Sequence, residues 1–532
     1  MLNPGPVRRR WAQHALGCGA VCRHPADVKH SKKYPAIVVA CVLPLLATCA
    51  TTTLRHDVSD VATLPSQPLR ALDWHHKGAA AFDDLSAYLK VDTTNPPGNE
   101  KNGAVFLQEL LKTHQIESEI LDLPNLIPAG QPGGEPWVNR ASLIARVKST
   151  VPATAGALCL VSHIDVVTAE ASRWAQDRGP TSGAVVAEEG QTFVYGRGAL
   201  DMKGMTIMEV HALFALIDSK IERHRDVVLV AVADEEVQSR GMEHMISDEV
   251  WSKIGCTHSI NEGGLGLQDA IVEGQTVFAI SVGERGVLWS KVVAEGPPGH
   301  GSTPIPGRAP ERLLKAMNRL DAWRDQPMIH PAIYELLAEV GLEAGGAQGF
   351  VLQRPFLVDN LVSARLQAMP TTRAIITNTI HLTGFHGAEQ PNVVPSTVWA
   401  QYDVRLLPGT TPAAMKATIE ALLADIEGVH LEVLEQKEAG VSDWNDPLFR
   451  ALQRNAVDGV ERAVAGPIIS PGFTDSILLR RRGVKAYGFV PLILTALESS
   501  RMHGDNERVS RENIVRGTRT LALTLADVVG AP

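Results

Sequence analysis

The chain has 532 residues, of which 45% are hydrophobic and 20% are charged, and its formal net charge is −9. These are the values of a globular protein, and the length predicts two or three domains. Basic residues are scattered along an acidic chain that is only 5% aromatic, so the composition argues against nucleic acid as a partner.

Residues 1–50 are predicted to be a targeting segment. Its apolar stretch, Ala36–Ala47, has the length of a signal peptide and is too short to span a membrane comfortably. Leu46–Cys49 is similar to the lipobox of bacterial lipoproteins, which predicts lipidation of Cys49, with cleavage after Ala50 as the alternative. A buried helix is another interpretation of the stretch, and Cys18–Cys22 also fits a zinc cluster. We expect an exported bacterial protein, either periplasmic or attached to the membrane through Cys49.

The segment 51–75 is polar, contains proline and is predicted to be a linker. Helical patterns follow at Ala79–Leu89 and Gly103–Leu111, and strands are predicted around 117–123 and 141–147. Of the two cysteines in the body of the chain, Cys159 lies in an apolar strand, which predicts a buried small hydrophobe rather than part of a disulfide framework.

From residue 158 to 262, acidic and histidine side chains repeatedly follow apolar strands. The segments are Leu158–Ser162 before His163 and Asp165, Val227–Ala233 before Asp234, Glu235 and Glu236, a short run ending at Ile260 before Glu262, and the loop Tyr195–Gly204 with Asp201 before an apolar helix. In an open α/β sheet, ligands bind at the carboxyl ends of strands. Carboxylates and an imidazole at that edge predict a metal site with mixed nitrogen and oxygen ligands.

The hydrophobic pattern changes at residue 279, where strands with alternating apolar and polar residues replace continuously apolar strands. An amphipathic helix is predicted at Pro310–Leu320, followed by an irregular stretch to about Ala374. Paired strands, a helix and another strand then predict an insert of two helices on an antiparallel sheet. From Asp443 onward, helices and buried strands return, and the chain closes with His503 and a final helix.

Eight motifs in a fixed order resemble the dinuclear-zinc aminoacylase and carboxypeptidase family, over about residues 80–532. They are His163-Ile-Asp165, Gly196–Gly204, Asp234–Glu236, Glu262, Gly299–Ser302, Asn392–Pro395, Asp403–Arg405 and Arg501–Glu507. Within the family the chain looks most like carboxypeptidase S and the N-fatty-acyl amino acid hydrolases. The resemblance implies an α/β fold, in which a zinc-peptidase-type catalytic domain with a mixed sheet and flanking helices (76–280 and 440–532) is interrupted by a smaller α+β lid or dimerisation domain (281–439).

The resemblance also implies the metal site and its chemistry. The five implied ligands of two zinc ions, for which cobalt or manganese would be substitutes, are His163, Asp201, Glu236, Glu262 and His503. Asp201 would bridge the ions, which lower the pKa of a shared water. Glu235 would be the general base, and Asp165 would orient the imidazole of His163.

Substrate contacts are implied in the lid and in a turn near the C-terminus. His300 would stabilise the developing oxyanion, with a plain loop histidine as the alternative. Arg405 would grip a substrate carboxylate, with an ion pair to Asp403 as the alternative. Asn392, Gly472 and Thr474 would contact substrate. In the family this turn is often Gly-Gly-Thr-Asp, so Phe473 is a departure that predicts a reshaped pocket floor.

These expectations combine into an exported dinuclear-zinc hydrolase that cleaves an amide bond next to a free carboxylate. Its substrates would be N-acyl amino acids or short peptides, and it would form a homodimer through the lid. An aminopeptidase or dipeptidase of the same fold is the alternative. A binding protein on an inactive hydrolase fold predicts a missing ligand or base, and none is missing.

Overall fold

The structure is a computed structural model that describes residues 63–123, 139–188 and 190–531. The predicted targeting segment, including Cys18, Cys22 and Cys49, lies outside the described residues, as do residues 51–62 of the predicted linker. Among the described residues, no helix combines the length and the apolar character needed to cross a membrane.

The described chain contains helices and strands throughout its length. The helices are α1 (Gln67–Arg70), α2 (Trp74–Tyr88), α3 (Glu100–Lys112), α4 (Lys203–Asp218), α5 (Arg240–Met245), α6 (Asp248–Ile254), α7 (Ala309–Ala322), α8 (Pro331–Ala344), α9 (Gly346–Leu352), α10 (Pro355–Leu357), α11 (Ser363–Ala368), α12 (Pro370–Ala374), α13 (Pro412–Leu423), α14 (Pro447–Val457), α15 (Ser476–Arg481), α16 (Ala496–Ser499) and α17 (Arg511–Val529). Short 3-10 and π-helical turns occur at Ala171–Arg173 and Val358–Val362.

The strands are β1 (Ser118–Asp122), β2 (Ala141–Val147), β3 (Ala157–His163), β4 (Ala184–Glu188), β5 (Gln191–Tyr195), β6 (Val227–Val232), β7 (Cys256–Gln268), β8 (Thr276–Glu284), β9 (Gly286–Glu295), β10 (Gly299–His300), β11 (Thr379–His386), β12 (Val393–Val394), β13 (Thr397–Leu406), β14 (Val429–Lys437), β15 (Ala463–Ser470), β16 (Lys485–Leu494) and β17 (Arg508–Ser510).

A mixed sheet of eight described strands forms the larger part of the fold, in the order β1-β2-β6-β3-β7-β16-β8-β15. Strand β3 runs parallel to both β6 and β7, and β7 runs parallel to β16. The strands are apolar because helices cover both faces of the sheet. Apolar side chains of α2, α4 and α17 form the core on one face, and those of α5, α6 and α15 form it on the other. The predicted α/β class and mixed sheet are confirmed.

Two of the predicted strand ends are observed, and the third differs. His163 is the last residue of β3, and Asp234 follows β6 by two residues. Glu262 instead lies in the middle of β7, which continues to Gln268 and shifts register against β16 beyond Gly488. The apolar run ends at Ile260, but the strand continues past it through Glu262 and the glycines that follow.

A separate four-stranded antiparallel sheet forms the smaller part, in the order β11-β13-β9-β14. Helices α7 and α13 pack on it through a core that includes Leu313, Ile419 and Val404. This arrangement confirms an insert of two helices on an antiparallel sheet. Its boundaries at 281 and 439 stay a prediction.

The stretch between α7 and β11 is helical, so the predicted irregular structure to about Ala374 is wrong. Helices α8 to α12 occupy most of it. Ile333, Leu337 and Val340 of α8 pack against Val277 of β8 and Val464 of β15. The stretch therefore lies on the large sheet, although the sequence places it inside the lid. The breaks at Gly345–Gly346, Pro355 and Pro370 divide it into short helices whose periodicity is hard to detect in sequence.

Cys159 and Cys256 form a disulfide between β3 and β7, with their Cα atoms 5.9 Å apart. The expectation that Cys159 is only a buried small hydrophobe is therefore wrong. The sequence separation of 97 residues gave no sign of the pairing. Parallel pairing of the two strands brings Ala157 opposite Cys256 and so brings the two cysteines together.

Candidate active site

Five side chains with ligand atoms converge in two groups that share Asp201. His163, Asp201 and Glu262 form one group, and Asp201, Glu236 and His503 form the other. The Nε2 atom of His163 lies 3.0 Å from Oδ1 of Asp201 and 3.9 Å from Oε1 of Glu262. The Nε2 atom of His503 lies 3.0 Å from Oδ2 of Asp201 and 3.2 Å from Oε1 of Glu236. The five predicted ligands are thus brought together, with the two oxygens of Asp201 facing different groups.

The hydrogen bond of His163 fixes which nitrogen is available to a metal. Its Nδ1 lies 2.8 Å from the backbone carbonyl oxygen of Asp165. Because a carbonyl oxygen only accepts hydrogen bonds, Nδ1 carries a proton, and Nε2 is the nitrogen that faces the group around Asp201 and is available to a metal.

The carboxylate of Asp165 acts on the backbone of the next strand end. Its Oδ1 lies 3.7 Å from the imidazole Nδ1 of His163, beyond hydrogen-bond distance. It accepts instead from the backbone N–H groups of Glu235 and Glu236, at 3.1 and 3.2 Å. Asp165 therefore orients the imidazole through its carbonyl, while its carboxylate positions the segment with the predicted base and one ligand.

A buried polar network behind this segment was missed in the sequence. Asp234 has a φ of +68°, a left-handed conformation that is costly for a residue other than glycine. Its carboxylate accepts from Arg140 at 2.5 Å and from Asn95 at 3.0 Å, and Asn95 also donates to Asp165 at 2.9 Å. The network holds the sharp turn that aims Glu235 and Glu236 at the site. The only signal in the sequence was the third acidic residue in Asp234-Glu235-Glu236.

Glu507 was also missed as a functional residue, although it lies in the last motif. Its buried carboxylate accepts from the backbone N–H groups of Gly198, Leu200 and Asp201 at 3.1, 2.7 and 3.3 Å. It also forms a buried ion pair with Arg197 at 2.5 Å. Glu507 thus fixes the loop that presents Asp201 to both groups.

The carboxylates of the site lie close together, so a positive charge among them would be stabilising. Burial raises the pKa of Glu262, and the neighbouring Asp201 raises it further. Burial and Glu262 likewise raise the pKa of Glu235. Burial alone would lower the pKa of His163, but Asp201 and Glu262 raise it well above 6.5. Carboxylates that favour a positive charge on the imidazole between them fit a site for divalent cations.

A cavity of about 620 Å³ joins this site to the smaller sheet. On the catalytic side it is lined by Glu235, Glu236 and the turn with Gly472 and Phe473, and on the other side by residues of the small sheet that include Arg405. The Nε of Arg405 donates to Asp403 at 2.8 Å. The predicted ion pair is therefore present, and Arg405 also faces the cavity that contains Glu235.

His300, Asn392 and Thr474, which were also predicted to contact substrate, are not among the residues that line the cavity. His300 lies opposite Val393 on the exposed ribbon of β10 and β12, and Asn392 directly precedes β12, where its carbonyl accepts from Gly301 at 2.8 Å. Thr474 is buried and its hydroxyl donates to Glu284 at 2.7 Å, so this hydroxyl is engaged within the protein.

Comparison with known proteins is consistent with this site. The family model described as "Peptidase family M20/M25/M40" matches residues 159–527. The N-fatty-acyl-amino acid synthase/hydrolase of Xenopus tropicalis is 27% identical over 360 residues, which are 67% of this chain and 69% of that protein. Aminoacylase-1A of Rattus norvegicus is 24% identical over 453 residues, 84% of this chain and 94% of the relative. An M20 family metallo-carboxypeptidase from Sulfolobus solfataricus superposes with a TM-score of 0.61 at 18% identity, covering 84% of this chain and 99% of the other.

Proposed function

The chain belongs to the M20/M25/M40 peptidase family and is a metal-dependent hydrolase, and from that premise we propose that it cleaves an amide bond next to a free carboxylate. Its substrates would be N-acyl amino acids or short peptides cut at the C-terminal residue. The observation that carries the proposal is that Arg405 lines the same cavity as Glu235 and Glu236. The names of the relatives, a fatty-acyl-amino acid hydrolase and an aminoacylase, support it.

Two zinc ions would be held by the two groups that share Asp201, with cobalt or manganese as substitutes. His163 and Glu262 would complete one set of protein ligands, and Glu236 and His503 the other. The chemistry of these side chains fits, because imidazole nitrogens and carboxylate oxygens are ligands that zinc accepts. Bound ions would supply Lewis-acid polarisation and a water of lowered pKa.

Glu235 is the group that would move protons. Its backbone is fixed by Asp165 and its side chain lines the cavity. As general base it would accept a proton from the attacking water and then deliver this proton to the leaving nitrogen. Burial, which raises the pKa of Glu235, brings the carboxyl closer to the range in which it can both accept and donate.

Arg405 would recognise the carboxylate of the substrate. Asp403 accepts from its Nε and also from the indole N–H of Trp289 at 3.0 Å, which holds the guanidinium in one orientation. A guanidinium held at Nε presents its two terminal nitrogens as a planar fork, a geometry that matches a carboxylate. The ion pair with Asp403 would therefore support substrate binding by orienting Arg405.

The test is hydrolysis by purified protein of N-acetyl amino acids and of the same N-acetyl amino acids with the carboxylate converted to an amide. We expect about two metals per chain by elemental analysis, loss of activity with a chelator, and cleavage of the free acids only. Arg405→Ala should raise KM for the free acid by about tenfold or more, because a charge-assisted contact is lost. Activity that survives metal removal, or equal cleavage of acids and amides, would overturn the proposal, and cleavage from a free amino terminus would identify an aminopeptidase.

We also propose that the protein is exported. The apolar segment before Cys49 supports this, as does the Cys159–Cys256 disulfide, because disulfides persist in oxidising compartments. Mass spectrometry of protein from the native host should find a mature N-terminus near residue 49. An intact Met1 on protein recovered from the cytosol would contradict export.

A further inference from the structure

The cavity-facing side of the small sheet carries two acid–base pairs on either side of one tryptophan. Strand β9 lies between β13 and β14, and its residues pair with both neighbours. Two rows of paired residues result: Arg405, Val287 and Lys437 form one, and Asp403, Trp289 and Glu435 form the next. Val287 is buried, and the other five line the cavity. Thus Asp403-Val-Arg405 has a counterpart across β9 in Glu435-Gln-Lys437.

The two pairs are alike in contact distance but stand apart on the sheet. Arg405 donates to Asp403 at 2.8 Å, and the Nζ of Lys437 lies 2.8 Å from Oε1 of Glu435. The backbones of Arg405 and Lys437 are two strand spacings apart, about 10 Å. A carboxylate bound by both terminal nitrogens of Arg405 is therefore not expected to pair with Lys437 as well.

Lys437 is also more shielded than Arg405. Its side chain is 9% exposed, against 21% for Arg405. The Nζ of Lys437 lies 4.2 Å from the ring centroid of Phe473, which belongs to the turn on the opposite wall of the cavity. Phe473 is the residue that departs from the glycine common at this position. Its ring covers an ammonium group whose charge Glu435 already balances.

The formal charges on this face of the small sheet sum to +1, which one anion would balance. Three cations, Arg285, Arg405 and Lys437, stand against two carboxylates, Asp403 and Glu435. Arg285 is only 4% exposed. Among the described residues, its side chain donates to uncharged oxygens, those of the Thr377 carbonyl, the Thr379 hydroxyl and the Arg405 carbonyl. The excess positive charge therefore lies at the Arg285–Arg405 end, and the Lys437–Glu435 end is neutral.

Trp289 occupies the space between these two ends. Its ring centroid lies 6.0 Å from the guanidinium carbon of Arg405, so a group attached next to a carboxylate on Arg405 reaches the indole. In an N-acyl amino acid, that group is the side chain of the amino acid. A flat apolar surface beside a neutral ion pair favours an uncharged side chain.

We propose that Trp289, Lys437 and Glu435 form a specificity subsite that accepts uncharged, apolar side chains on the carboxylate-bearing residue. In this subsite Glu435 excludes acidic side chains by neutralising Lys437, and Trp289 supplies the contact surface. The inference rests on the proposed function, since it assigns the side-chain position of a substrate whose carboxylate Arg405 holds.

The experiment compares kcat/KM for N-acetyl-leucine, N-acetyl-phenylalanine, N-acetylglycine and N-acetylglutamate on one preparation of zinc-loaded enzyme. Wild type should prefer the leucine and phenylalanine substrates over the glutamate substrate. Glu435→Gln should raise the ratio of glutamate to leucine hydrolysis by at least about tenfold, because the charge of Lys437 is then unpaired. Trp289→Ala should lower the ratio of phenylalanine to glycine hydrolysis by about tenfold or more.

Substrate ratios do not depend on the fraction of folded enzyme, and Trp399→Ala is the matched control. Trp399 lies on the same sheet, pairs with Val293 of β9 and does not line the cavity, so its substitution should leave both ratios unchanged. A wild-type preference for glutamate overturns the inference, as does a Glu435→Gln ratio equal to that of wild type. If zinc-loaded wild type cleaves none of the four substrates, the proposed function fails and the inference fails with it.

Discussion

Glu235→Gln is expected to lower turnover by about 10²–10⁴-fold without releasing bound metal. Glutamine keeps the size of the side chain, and the backbone N–H that Asp165 holds is unaffected. The amide cannot accept and return a proton, so the loss should appear in kcat rather than in KM. Turnover of an N-acetyl amino acid and metal content per chain, measured on the same sample, test this result.

The neighbouring Glu236→Gln separates proton transfer from metal binding. Glu236 lies 3.2 Å from His503 in the second group, so its substitution should lower metal content as well as turnover. Glu249→Gln, on the exposed start of α6, is a control for the chemical change and should resemble wild type. Equal metal loss in Glu235→Gln and Glu236→Gln would show that the division of roles between them is wrong.

His300→Ala is expected to lower turnover by about 10²–10³-fold with little change in substrate binding, because an oxyanion donor acts mainly in the transition state. His300 is exposed, and its Nδ1 lies 2.7 Å from the Ser302 hydroxyl, away from the cavity lining. A catalytic role therefore requires that the lid closes or that a second subunit supplies the residue. Steady-state kinetics of His300→Ala, with His75→Ala on the exposed face of α2 as control, measure the effect.

Mixing two inactive variants distinguishes lid closure within one chain from supply of His300 by a second subunit. If His300 acts across subunits, Glu235→Gln and His300→Ala protein exchanged into mixed dimers should regain activity, because one site then contains both wild-type residues. If the lid closes within one chain, mixing should restore nothing. Turnover of His300→Ala within about threefold of wild type, a change of about 0.65 kcal/mol, would contradict any oxyanion role.

The convergence of the five candidate ligands could be predicted from sequence because each of them lies in a short motif and the motifs keep a fixed order. The residues that position these ligands could not be predicted. Glu507 and the carboxylate of Asp165 bind backbone N–H groups, and such contacts depend on loop conformation rather than on residue type. The sequence identified Asp165 by its spacing from His163 and assigned it the imidazole, whereas its carboxylate holds the turn at Glu235.

The large-scale prediction was limited in the same way. Apolar runs identified strands of the main sheet, but the apolar run before Glu262 ends where β7 continues to Gln268. Short helices separated by glycine and proline concealed the layer that packs on β8 and β15. The positions of the two acid–base pairs on either side of Trp289 depend on strand register. The sequence does not specify which residues of β13 and β14 lie opposite β9.

The contacts of Glu507 with the loop of Asp201 have a consequence wherever the chain emerges in order, from a ribosome or from a translocation channel. His163 and Asp201 emerge more than three hundred residues before His503 and Glu507. Until then the loop lacks its buried acceptor, β5 lacks its partner β17, and one ligand group lacks its imidazole. Because an emerging chain folds from its N-terminal part onward, the partly emerged enzyme would have most of the candidate carboxylate ligands but no complete pair of ligand groups. Hydrolytic activity would then begin only once nearly the whole polypeptide has emerged.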